Sequence, residues 1–374
     1  MAYNFDCRLF TGYKPCKHKR ACEGCEHYDP IKTRVAVVSL EAMGAVLRST
    51  CLLEPIKRKH PDAHITWVTL KNTKPLLENN PLIDSLLIVE PKNMALIQTL
   101  KFDELYAVDK SNEAGALSEL IKAEKKWGFG CDEYGIIKPF TEDGQYQYDV
   151  GLDDELKFFK NEKPETQQLT ETMGLAWKRD PYILNLSDDE KAIVASRRAE
   201  ILSSAGSKKI IGYNTGCSVL FPYKKFTISR AIELVAAWRK EFPDYAVALL
   251  GGPEDSERQA QIKEAFSNDP AVVNTPTTGG LRSGVQWVDT ADMVFSGCSL
   301  GLHIAIGLGK AAIAWFGVSC SQEIDLYGKG VHLKADVPCT PCWKKKCDQE
   351  VKCFDQVSVE RVVGATKHLD KDFF

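Results

Sequence analysis

Short apolar runs and amphipathic stretches alternate along most of the chain. Residues 34–40 are apolar enough for a strand buried on both faces, and residues 43–58 carry helical spacing, with a restart at Pro55 and a stop before Pro61. Further strands are expected over 65–70, 86–89 and 103–108, with a short helical segment around Leu76 and Leu77 and a longer helix over 114–125. From about 131 to 187 the period is lost, apart from a polar helix over 165–172. A second series opens near Ser187: helix 188–202 with an N-cap and an acidic first turn, strand 209–213, helix 228–241, strand 246–250 and a helix ending near Phe266. Residues 291–317 then read as strand, small-residue turn, helix and strand, and a last helix is expected over 358–369.

Repeated strand and helix units predict an α/β protein of two Rossmann-like, doubly wound parallel-sheet domains facing a cleft. The expected divisions are a cysteine-rich extension over 1–30, a first domain over 31–186, a second over 187–357 and a C-terminal helix over 358–374. In such sheets ligands bind at the carboxyl ends of strands, where unpaired N–H groups at a helix start can receive phosphate oxygens. The turn Ser296-Gly297-Cys298-Ser299 has that position. An ordinary strand-to-helix connection with glycines for tight packing is the alternative.

Composition changes this picture little. The chain of 374 residues is 44% hydrophobic and 26% charged, which suits two cores, and its net charge of −3 suggests no dedicated nucleic-acid surface. No apolar run reaches the roughly 18 residues of a membrane span, and the polar, lysine-rich start lacks the apolar centre of a signal peptide, so a cytoplasmic protein is expected.

The 13 cysteines are then unexpected as a disulfide framework. Cys7, Cys16, Cys22 and Cys25 occupy a segment without an apolar core, and four thiolates fixed by structural zinc would organise it; an Fe–S cluster is the less favoured alternative. Cys339, Cys342, Cys347 and Cys353 form a second, weaker set, expected to stand apart from the first. Cys51, Cys131, Cys217 and Cys320 read as buried thiols and Cys298 as a small packing residue.

Five blocks resemble glycosyltransferase family 9, the heptosyltransferase family. Residues 38–50, VSLEAMGAVLRST, are similar to its "IKLGALGDVLRTT"; Gly212-Tyr213-Asn214-Thr215-Gly216 with Pro222-Tyr223-Lys224-Lys225-Phe226 resembles "N-x-G … K-x-W-P". Leu249-Leu250-Gly251-Gly252-Pro253-Glu254 resembles "LLGGPEE", residues 296–317 resemble "GNDSGPMHLAAALGKPVVALFG", and the tail from Cys339 resembles the family's cysteine-bearing tail. The resemblance implies a GT-B fold with acceptor in the first domain and nucleotide-sugar donor in the second, and a C-terminal helix that packs back on the first domain.

It also implies inverting transfer that needs no metal or other cofactor. The donor expected is a nucleotide diphosphate sugar of the ADP-heptose type, and the acceptor a lipopolysaccharide or other lipid-linked cell-envelope glycan. The enzyme would then work peripherally at the inner membrane face. Donor contacts fall on Asn214, Thr215, Gly216, Lys224, Gly252, Glu254, Ser299, Gly301 and His303, and the acceptor side on Arg48 and Lys110. Lys224 would carry diphosphate charge.

Both acidic positions of the family pattern are replaced. Ala45 stands where the catalytic aspartate belongs, and Cys298 stands where the second-domain motif has its aspartate. Glu41, in the same loop as Ala45, is the substitute base this reading selects. The alternative is a catalytically impaired relative that binds nucleotide sugar or glycan, since losing a base costs roughly 10²–10⁴-fold in rate without abolishing binding.

Overall fold

The computed structural model describes residues 2–374. Its first sheet comprises β1 (Thr33–Val38), β2 (Ala63–Thr69), β3 (Ser85–Ile88), β4 (Lys101–Ala107), β5 (Lys122–Cys131) and β6 (Ile137–Pro139), in the order β3-β2-β1-β4-β5-β6. All pairs are parallel except the last, β5 with β6. The second sheet comprises β7 (Lys209–Asn214), β8 (Tyr245–Leu250), β9 (Val272–Asn274), β10 (Met293–Gly297), β11 (Ala311–Phe316) and β12 (Gly330–Lys334), all parallel, in the order β12-β11-β10-β7-β8-β9.

Each sheet reverses its winding direction once, between β1 and β4 and between β7 and β10. Chain leaving the two central strands there diverges to opposite sides and opens a crevice. β8, β10 and β11 are buried along their whole length, as a sheet covered on both faces requires.

The predicted helix over 43–58 is three pieces: Met43–Ser49, a 3-10 turn Thr50–Leu52, and Leu53–Lys59. The break lies before Pro55, whose ring is tolerated in the first turn of the helix that follows. The helix expected over 114–125 is Asn112–Leu120, and the lysine-rich residues after it form β5 instead. Three unforeseen helices cover Pro91–Thr99, Gln145–Val150 and Gly280–Asp289.

Helix Asp188–Ala205 runs to a Gly206 cap at φ +60°, a left-handed conformation glycine adopts without strain. At its start Ser187 and Glu190 form a reciprocal capping box. Glu190 also pairs with Arg282, whose other donors reach Asn185 O (2.8 Å) and Pro75 O (3.0 Å). One guanidinium thus ties the second lobe, the connector and the first lobe.

The C-terminal helix Val359–Phe373 packs on the second lobe, contrary to the return to the first that the resemblance implied. Trp238 Nε1 donates to Thr366 Oγ1 (2.9 Å), and Lys209 pairs with Asp370 (2.7 Å). Its apolar face, Val359, Val362, Val363 and Leu369, joins the core with Ile313 and Trp315, which fixes its place.

The lobes themselves share a core running from Leu47 and Leu52 through Leu184 to Leu302 and Phe316. Helix Leu300–Gly307 is apolar on all sides because it is enclosed by β10, β11 and helix Met43–Ser49. Gly44 meets His303 there so closely that a Cβ would lie 2.6 Å from the imidazole Cδ2. No helix among the described residues is long and apolar enough to cross a membrane.

Two outcomes follow. Arg282 holds the Glu190 carboxyl at about 2, below its ordinary 4.5, so the stabilisation is complete above pH 4.5 and lost as pH falls toward 2. Glu190→Gln should therefore cost about 1–3 kcal/mol at neutral pH, with the gap in Tm closing on acidification. Gly44→Ala should destabilise by about 1–3 kcal/mol through overpacking at the seam, read from denaturant midpoints.

Candidate functional site

The second-lobe crevice is built at the ends of β7 and β10. The Asn214 amide, leaving β7, donates to Ser296 Oγ (2.9 Å), Ser299 Oγ (2.9 Å) and Gly216 O (3.1 Å), stitching the two strand ends together. At Gly301 a Cβ would lie 2.7 Å from Asn214 Cγ, so a side chain there would break this contact. Ser299 precedes helix Leu300–Gly307 in extended conformation without capping it through its side chain. Thr215 turns both its hydroxyl (3.1 Å) and its N–H (2.9 Å) back to Leu250 O, so neither is offered to a ligand.

Behind Gly216 lies Asp255, whose Oδ2 would meet a Cβ there at 1.8 Å and accepts the Gly252 N–H at 3.0 Å. Arg258 Nε donates to Thr215 O (2.9 Å), and the same guanidinium reaches Phe226 O. Sequence reasoning selected neither side chain. Asp255 was readable as the last acidic residue of the turn Pro253–Asp255, but only the fold brings Arg258 under the 215 loop. Glu254 is exposed on that turn.

Lys224 ends the 3-10 turn Pro222–Lys224, whose backbone lies against Gly297: a Cβ there would stand 2.1 Å from Lys224 O. Its Nζ lies 4.8 Å from the Phe221 ring centroid and 4.1 Å from that of Trp343. Lys157, from the first lobe, approaches the same indole at 5.0 Å. Two cations, one from each lobe, thus share one ring.

His303 is buried one turn into the helix, stacked on Tyr182 with ring centroids 5.8 Å apart. Burial, then the neighbouring Arg48 and Lys224 charges, hold it down to about 3, so the imidazole is neutral at physiological pH. Its Nδ1 is buried without a hydrogen-bond partner. It is therefore a histidine of the seam between lobes rather than a free residue of the donor turn.

In the first lobe Asp109, just past β4, accepts the N–H groups of Leu40 and Glu41 and the Ser39 hydroxyl, so it fixes the loop beyond β1. Burial pushes its carboxyl up to about 6. Glu41 lies exposed on that loop, and Ala45 sits in the first turn of helix Met43–Ser49. Arg48 pairs with Glu165 in a half-buried bridge, and Lys110 Nζ donates to Gln147 O (2.7 Å). Burial lowers the Lys110 ammonium.

The cysteine sets differ. Residues 2–30 contain no helix and only one isolated bridge, Cys7 with Pro30, and Arg8 anchors them to Asp62 O (3.1 Å) and Asp84 (2.5 Å) near the amino ends of β2 and β3. Cys7, Cys16, Cys22 and Cys25 are half-buried in this mostly exposed segment. Cys339, Cys342, Cys347 and Cys353 line one small cavity with Tyr223 and Phe354. Among the described residues no three His, Cys, Asp or Glu side chains are arranged to hold a metal ion. Cys51, Cys217 and Cys320 are buried; Cys131 and Cys298 are half-buried.

Comparison with known proteins agrees with this geometry. Glycosyltransferase family 9 (heptosyltransferase) matches residues 155–352, more than half of the chain. Lipopolysaccharide heptosyltransferase 1 of Campylobacter coli is 22% identical over 351 residues, covering 91% of this chain and 99% of that protein. The glycosyl transferase family 9 structure from Veillonella parvula superposes with a TM-score of 0.66 at 19% identity, covering 91% of this chain and 97% of its own. ADP-heptose lipopolysaccharide heptosyltransferase II of E. coli does so with 0.66 at 16% identity, covering 90% and 98%. The chain belongs to glycosyltransferase family 9, the heptosyltransferase family, and is a glycosyltransferase of GT-B architecture.

Proposed function

We propose that the chain transfers heptose or a similar sugar from a nucleotide diphosphate sugar of the ADP-heptose type to a lipopolysaccharide acceptor, at the cytoplasmic face of the inner membrane. The observation that carries this is the meeting of Asn214, Ser299 and Lys224 at the second-lobe switch point. A diphosphate seated there receives backbone N–H groups near Gly216 and the start of helix Leu300–Gly307, and charge from Lys224. Glu254 and Gly252, on the turn after β8, are assigned to the nucleoside side. The relatives named above, a lipopolysaccharide heptosyltransferase and an ADP-heptose enzyme, support the donor and acceptor class.

Inverting transfer needs a proton-accepting group near the acceptor hydroxyl and stabilisation of the leaving diphosphate. Arg48 and Lys110 are assigned to the acceptor side, where they flank the loop carrying Glu41. The reading of an impaired binding protein gains nothing from the relatives, which are named as transferases.

Structural zinc is proposed at the two cysteine sets, with no part in transfer. The chemistry of four thiols supports it at each, and the shared cavity of Cys339, Cys342, Cys347 and Cys353 supports the tail set further. Binding an ion would draw the thiols inward and hold segments that lack regular structure.

Lys224→Ala should weaken ADP-heptose binding roughly 10–100-fold by calorimetry, the value of one charge-assisted contact. Unchanged affinity would remove Lys224 from the donor site. Elemental analysis of the purified chain should find zinc, and Cys342→Ser with Cys347→Ser should lower the content. Metal-free protein would discard both zinc assignments.

A further inference from the structure

Outside both motifs that lost an aspartate, those of Ala45 and Cys298, the junction of the lobes holds a buried acid. Glu323 lies on the loop between β11 and β12 and is 7% exposed. It belongs to the donor lobe, yet the segment carrying it is fastened to the acceptor lobe. Its carbonyl accepts the Glu165 N–H (2.9 Å), and its carboxylate lies 3.7 Å from Lys157 Nζ. Beside it, the Gln322 amide donates to Lys157 O (3.2 Å) and Phe158 O (3.4 Å).

Among the described residues Lys157 alone pairs with this carboxylate. Arg48, one helical turn beyond Ala45 and on the same face of helix Met43–Ser49, pairs with Glu165 and acts electrostatically on Glu323. Lys110, leaving β4, lies in the same field as Lys157, Glu165 and Glu323. Cys320, three residues before Glu323, neighbours Cys298 and the Trp343 indole, on which Lys224 and Lys157 both rest. Contacts thus link Glu323 through Glu165 and Arg48 to the helix that carries Ala45, and through Lys157 and Trp343 to Lys224.

We infer that Glu323 is the general base of the transfer reaction, supplying the proton-accepting carboxylate that Ala45 cannot. Glu323 takes the proton of the acceptor hydroxyl as that oxygen forms a bond to the anomeric carbon. The bond from that carbon to the diphosphate oxygen breaks, its electron pair leaves with the nucleoside diphosphate beside Lys224, and the proton passes from Glu323 to solvent. The inference rests on the transferase reading above and replaces Glu41 as the base.

Burial and the neighbouring Glu165 charge push the Glu323 carboxyl up to about 7, against the opposing pull of Lys157 and Arg48. A base is most effective with its pKa near the working pH. Because the carboxylate is the active form, the rate should rise with pH through this range.

The test uses the full chain with ADP-heptose and lipopolysaccharide lacking heptose. Glu323→Gln should lower kcat roughly 10²–10⁴-fold and abolish the acidic limb of the pH–rate profile, with the calorimetric Kd for ADP-heptose within about threefold of wild type. Should the Gln variant fail to fold, Glu323→Asp, which keeps the acid one methylene back, should retain the limb at reduced kcat; an Asp variant without the limb overturns the assignment. A Gln variant that turns over like wild type, or that loses donor affinity and thermal stability together while keeping the limb, also overturns it, the latter marking a structural latch. Wild-type protein that binds no ADP-heptose overturns the donor reading and the base with it, whereas an active Gln variant overturns the base alone.

Discussion

Everything in this molecule depends on how closely two short helices approach at the seam. Helix Met43–Ser49 and helix Leu300–Gly307 each start at the carboxyl end of a central strand, and Gly44 lets the imidazole of His303 come within contact of the first backbone. Interiors are close-packed, so the contact leaves little freedom in how the lobes meet. It turns two independent switch points into one crevice, with Asn214, Ser299 and Lys224 on one wall and Asp109, Arg48 and Glu165 on the other.

The strand succession was legible because buried parallel strands must be apolar on both faces, and residues 293–295 and 311–316 read clearly for that reason. Legibility failed where charge masked the pattern. β5 begins Lys-Ala-Glu-Lys-Lys, and Lys126 folds back onto the last carbonyls of the preceding helix, Ser118 O at 2.8 Å, so helical spacing and a strand's alternation could not be told apart. Helix Gly280–Asp289 starts on two glycines, which removes the usual capping signal. The C-terminal helix shows a different limit: its amphipathic face was visible, but which lobe received it depended on Trp238 and Thr366 meeting across 128 positions of sequence.

The site was legible in proportion to how local its parts are. Asn214, Ser299 and Gly301 lie in short motifs, and the structure brings the three together. Arg258 and Glu323 belong to no motif, and each reaches the crevice through a loop or helix whose position is set by tertiary packing. His303 shows the reverse: its motif position pointed to the donor, whereas its burial against Tyr182 and Gly44 makes it part of the seam.

One shared ring deserves a last consequence. Trp343 sits under lysines contributed by opposite lobes, Lys157 and Lys224, and edge-on to Phe221. A phosphate that draws Lys224 away strips a cation from the indole face, changing its electronic surroundings without any domain having to move. Trp343 thus stands where the first lobe, the second lobe and the cysteine-bearing tail meet.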